Sequence, residues 1–214
     1  MSIGRATLRD ILLRPEAAAL IGSILAGLAL TYSWAGTNLA ALRTDSLQIA
    51  FIALFLIGAL VIANRYPIHV QSHTKVLVIS VPLFLMAVFL PPALAGLAAG
   101  LGTLIDELKE RKRRRSLLSD IITTTSRWIV VVSLAAWVAH LPTDRDMAHG
   151  ALLLGAAIVM FAGDLITASL HVATISGEPP LRVLRANARE VSASESVQYM
   201  LGILGAIAAE IHIW

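Results

Sequence analysis

Residues 76–115 read VLVISVPLFLMAVFLPPALAGLAAGLGTLIDELKERKRRR. Two uncharged apolar runs, Val76–Leu90 and Ala93–Ile105, flank Pro91-Pro92, and six of the seven residues from Lys109 to Arg115 are basic. A soluble fold has no use for so much uncharged surface beside so dense a positive cluster. A bilayer accepts both, because its core takes only apolar surface and its cytoplasmic face attracts Lys and Arg. The stretch therefore predicts a short membrane hairpin, outward to the prolines and back to the basic cluster.

Composition agrees. The 214 residues are 57% hydrophobic and 14% charged, with mean hydropathy +0.77. Globular domains run at about 25% charged. The chain contains no cysteine, which removes disulfides, thiolate metal sites and thiol catalysis. Basic residues precede the first apolar run, as in a signal peptide. That run lacks a small-x-small cleavage site, so it reads as a retained span.

Taken in order, residues 1–16 form a cytoplasmic interfacial segment, and residues 17–214 form one all-α polytopic bundle of about seven spans. Span one covers Ala17–Trp34 and span two Leu47–Ala63. NRYPIHVQSHTK follows, an extended connector in view of Pro67 and its β-branched alternation. The hairpin supplies spans three and four, both short against the roughly 20 residues a crossing requires. Span five is Asp120–Leu141 and span six Gly150–Ser176. Pro179–Ser196 reads as an amphipathic helix and Val197 onward as span seven.

Charge tests the layout. With the N-terminus in the cytoplasm, fourteen of the seventeen basic residues fall on the cytoplasmic side. Arg43 and Arg145 fall outside, and Arg127 lies within span five. This positive-inside bias places the chain in a bacterial inner membrane and explains the net charge of +3 without a nucleic-acid partner. Seven crossings from that start put Trp214 at the outer face, with no output domain.

Asp164 is the most informative single residue, because an ionisable group inside an apolar span costs at least about 2.5–3.5 kcal/mol and needs a partner, a proton or water. Thr167 and His171 share its helical face, and Arg127 on span five could reach a similar depth. Two readings stand: a ligand or ion site on Asp164, His171, Arg127 and Thr167, or an ion pair that locks two helices. Glu210 and His212, with His140 and His149, could line an outward pocket or lie at headgroup level. His69 and His73 form HxxxH, but Pro67 argues against a helix there and no carboxylate lies nearby, so no metal is expected. No P-loop, GxSxG, HExxH or dinucleotide fingerprint occurs, so neither an enzyme nor a cofactor is expected.

Tyr66-Pro67-Ile68-His69, Thr74–Pro82 and Phe89–Gly102 together resemble the N-terminal multi-span membrane module found ahead of HD-GYP phosphodiesterase or GGDEF cyclase domains in bacterial signalling proteins. The resemblance covers most of the chain and implies a membrane sensor regulating cyclic-di-GMP turnover. The chain departs from that pattern in lacking both the His-Asp pair and the Gly-Gly-Asp-Glu-Phe run. The hairpin followed by small residues ending at Asp106 is also similar to the S components of energy-coupling-factor vitamin transporters. The first expectation is thus a sensory or ligand-binding module with partners limited to the lipid bilayer, a small ligand and a protein partner or second copy. The alternatives are an S-component-like solute-binding subunit and an accessory subunit of a larger complex, the latter with a pigment or haem on His171.

Overall fold

The computed structural model describes residues 15–35, 46–66, 68–71, 74–114, 117–142 and 146–213. They form seven helices: α1 (Pro15–Ala35), α2 (Ser46–Arg65), α3 (Ser80–Phe89), α4 (Pro92–Arg114), α5 (Leu118–Ala139), α6 (Asp146–Ser176) and α7 (Pro180–Ile213). Between α2 and α3, β1 (Ile68–Gln71) pairs antiparallel with β2 (Thr74–Val76). The all-α membrane bundle expected from sequence is what the chain forms, with this small ribbon where an extended connector was expected. Among the described residues, α1, α2, α5 and most of α6 are long and apolar enough to cross a membrane. Their outer faces carry exposed Leu20, Leu28, Phe51, Leu54 and Phe55, a surface suited to lipid.

Local rules set the helix ends. Proline, which lacks an N–H and has φ already fixed, opens α1, α4 and α7 at the position where that N–H would have no partner. Leu90, forced off helical angles by the following Pro91, adopts φ −108° and ψ 142° and ends α3. Gly177 takes φ +70° after α6 and donates to the Ala173 carbonyl at 3.0 Å, turning the chain back into α7.

Close pairs fix the directions. Gly96 meets Ser133 and Gly100 meets Ile129, so α4 and α5 are antiparallel. Gly155 with Val138 and Gly163 with Val131 make α6 antiparallel to α5. Gly22 lies on Ser126, and Tyr32 stacks on Trp137 with centroids 4.8 Å apart, so α1 runs with α5. Asn187 bonds Ser169, and Tyr199 lies edge-on to Phe161, so α7 returns along α6. The first residues of α1, α5 and α7 and the last of α4 and α6 therefore share one end of the bundle, which carries Lys109, Arg111, Arg182 and Arg185.

Two expected elements come out differently. Span three is helical only over Ser80–Phe89, about 15 Å at 1.5 Å per residue, half a bilayer's hydrocarbon thickness. Val76 belongs to β2, residues 77–79 form no regular element, and Ile79 already has helical angles (φ −83°, ψ −26°). Pro179–Ser196 and span seven are one helix, because no Gly or Pro interrupts residues 181–201.

α3 occupies the centre: Leu83, Phe84, Met86 and Leu90 are wholly buried. Lipid tails are as apolar as leucine, so helix association here depends on close packing rather than on expulsion of water. A Cβ on Gly100 would stand 2.6 Å from Ile129 Cγ1, and one on Gly202 2.8 Å from Phe84 Cδ1. Gly100→Leu and Gly202→Leu should each cost about 1–3 kcal/mol through overpacking. Gly27→Ala and Gly58→Ala, which meet open space, should be neutral. Thermal unfolding in one fixed detergent checks this, and equal midpoints for all four variants would contradict the packing.

Candidate functional site

Arg127 on α5 and Asp164 on α6 face each other with Nη2 and Oδ1 3.3 Å apart, both side chains about one-fifth exposed (17% and 20%). The pair meets the requirement that an ionised group in an apolar span find a partner. It is incompletely satisfied: Arg127 Nε and Asp164 Oδ1 are buried and form no hydrogen bond. The guanidinium carbon also lies 4.9 Å from the centroid of the Trp128 ring. Along α6, Asp164 stands nearer the basic end than the far one. Extending the Gly96–Ser133 and Gly100–Ile129 register puts Asp106 on α4 only about one helical turn from Arg127 in that same direction. The ion pair thus occupies the basic half of the bundle.

A second polar group adjoins it. α3 begins inside the protein, where its first N–H groups have no helical partner. α7 supplies one: Ser80 N–H donates to Gln198 Oε1 at 3.2 Å, and Ser80 Oγ–H donates to Glu195 Oε2 at 2.5 Å. Gln198 Nε2 donates in turn to Glu195 Oε1 at 3.4 Å. A carboxylate at a helix N-terminus is also favoured by the helix dipole. Tyr199 packs edge-on between Phe84 and Phe161, and its buried hydroxyl lies within the electrostatic reach of Asp164, Glu195 and Arg127. Ser80, Glu195 and Gln198 thus form a hydrogen-bonded cluster between α3 and α7, and Arg127 and Asp164 an ion pair between α5 and α6.

Arg127 also forms part of the floor of a groove of about 330 Å³ between α1 and α6, with α5 behind. Ala18, Ile21 and Leu25 form one wall, and Thr167, Leu170 and His171 the other. Ile21, Leu25 and Leu170 are half-exposed, so the groove opens sideways onto the lipid-facing surface.

Four of the five site residues expected from sequence therefore meet here: Asp164 and Arg127 as a pair, and Arg127, Thr167 and His171 along the groove. Thr167 donates back to the Gly163 carbonyl at 2.6 Å, and His171 Nδ1 is buried without a partner. The fifth, Glu210, has its side chain outside the described residues, as do His212 and His73. His140 donates from Nδ1 to the Ala136 carbonyl at 2.8 Å, within its own helix. Among the described residues, no group of three His, Asp or Glu side chains stands close enough to hold a metal ion.

Ser80, Glu195, Gln198 and Tyr199 were missed. The signal was present in SASESVQY, a polar run directly ahead of an apolar one, but dividing residues 179–196 and Val197 onward into two helices separated Glu195 from Gln198 and Tyr199.

No protein-family model matches the chain, and neither does any curated protein or solved structure.

Removing one partner from a buried ion pair leaves the other charge unpaired. Asp164→Asn alone should lower stability by about 3 kcal/mol, and adding Arg127→Met should restore most of it. Chemical or thermal unfolding of the single and double variants checks this, and additive losses would show that the two side chains act independently.

Proposed function

We propose that this chain is an integral membrane sensory module without chemistry of its own, and that a small lipid-dissolved molecule enters its lateral groove and biases the packing of the helices. The observation that carries the reading is the groove itself: an apolar cleft open to the lipid side with one guanidinium in its floor. Pockets of this kind, largely apolar with a few convergent polar groups, are the usual form of small-molecule sites. A signalling role follows the resemblance to the membrane modules of HD-GYP and GGDEF proteins, and the output would lie at the basic end. In this reading the basic end faces the cytoplasm of a bacterial inner membrane, as the distribution of Lys and Arg favours. The rival, a solute-binding transporter subunit, calls for an enclosed cavity, and the sideways opening favours a ligand that arrives through lipid.

A pyrene-labelled alkane added to the protein in nanodiscs should accept energy from Trp128 with a saturable component. Ala18→Phe, which fills the groove, should abolish that component and leave the thermal midpoint unchanged. Energy transfer that rises linearly with probe in both proteins would sink the reading. The orientation has its own check, because the chain is free of cysteine. A single Glu110→Cys should react with an impermeant maleimide in inverted vesicles and stay unlabelled in intact cells, and labelling from outside would overturn the topology.

A further inference from the structure

We propose that Glu195 is a proton-binding site, and that the proton it takes up sets how firmly α3 is seated. The site is separate from the groove: its groups belong to α3 and α7.

Glu195 carries a charge that nothing around it balances. α7 packs against α3 and α6. α3 has no ionisable side chain, and α6 presents Asp164, which Arg127 on α5 already holds. On α7 itself the ionisable neighbour is Tyr199, one turn further on. Among the described residues no cation pairs with Glu195. A carboxyl inside a lipid-embedded bundle needs a partner, a proton or water. The surroundings give Glu195 hydrogen bonds but no opposite charge, and a proton removes the charge outright.

Two hydrogen-bond arrangements fit the same atoms. With Glu195 ionised, Oε2 accepts from the Ser80 hydroxyl at 2.5 Å and Oε1 from Gln198 Nε2 at 3.4 Å. Gln198 Oε1 meanwhile accepts the Ser80 N–H at 3.2 Å. Tyr199 is left over. It is only 5% exposed and lies edge-on to Phe84 and Phe161, and its hydroxyl faces Ser80 without completing a hydrogen bond. A buried hydroxyl in that position calls for a reason. Protonation of Glu195 supplies one. The new Glu195 O–H donates to Ser80 Oγ, and the Ser80 hydroxyl, a free rotor, turns its own proton to Tyr199 Oη. The Ser80 N–H keeps Gln198 in both arrangements.

The two arrangements do not hold α3 equally. A hydrogen bond to a carboxylate is roughly twice as strong as one between neutral groups, and the dipole favours negative charge at a helix N-terminus. Both advantages go when the proton arrives, so α3 is held more loosely with Glu195 neutral. Glu195 is half-buried, which lets a proton reach it without the bundle opening.

Infrared difference spectroscopy of the full chain in nanodiscs, taken from about pH 9 to about pH 5, tests this. Acidification should raise a carboxylic-acid carbonyl band that Glu195→Gln removes. Tyr199→Phe keeps the ring between Phe84 and Phe161 and takes away only the acceptor that serves the protonated arrangement. The neutral form then loses a bond, so the midpoint of the band should fall by about one pH unit, equal to about 1.4 kcal/mol. Should Glu195→Gln fail to fold, the shift in Tyr199→Phe still decides. The proposal is overturned if no band in that range is lost in Glu195→Gln, or if Tyr199→Phe leaves the midpoint unchanged or raises it. A band that responds to sodium at constant pH would also overturn it, by assigning the carboxylate to a metal cation.

Discussion

A helix that begins in the interior of a lipid-embedded protein must have its free N–H groups met by other side chains, because no water is at hand to meet them. α3 is such a helix. It is about half the length of a crossing, its core side chains are wholly buried, and it starts at Ser80 against α7. Gln198 and Glu195 satisfy that start, so the pairing of α3 with α7 is fixed by hydrogen bonds at one end and by Gly202 against Phe84 a turn further on. α5 packs against α1, α3, α4 and α6, while α1 and α2 are mainly lipid-facing.

Asp164 holds Arg127, and Arg127 reaches the groove between α1 and α6. A ligand in that groove would draw on the same guanidinium that Asp164 holds, and α6, which carries Asp164, packs through Phe161 on Tyr199 of α7, the helix that seats α3. In the proposed function this is the physical means of signalling: a ligand preferring one arrangement of α5, α6 and α7 shifts the population toward it. The basic end, where five helix termini gather, is where such a shift would be read.

Much of this was legible in the sequence, and the reasons differ by element. Helices α1, α2, α5 and α6 follow from apolar runs of crossing length, and Leu90-Pro91-Pro92 marks the end of α3 through the steric rule for a residue before proline. The Asp164–Arg127 pair was foreseeable because each is the lone charge in its apolar run, and each therefore needs a partner. The beginning of α3 was not legible, since VLVI at 76–79 is as apolar as the helix it precedes and only its β-branching hints that the helix has not yet begun. The single long α7 was obscured because polarity falls on both sides of Val197 while the backbone continues unbroken. Three residues of the groove, Arg127, Thr167 and His171, could be grouped from sequence, but its apolar walls and sideways opening could not. These depend on the rotation of three helices about their axes, which no single helix encodes.

The seating of α3 is the point on which the account turns, and hydrogen exchange of the full chain in nanodiscs, followed by mass spectrometry, addresses it most directly. Peptides covering residues 80–89 should exchange as slowly as those from the centre of α5, despite α3's short length and the irregular backbone before it. Exchange of residues 80–89 as fast as that of the ribbon at 68–76 would place α3 at the membrane surface and contradict its burial against Gln198 and Glu195.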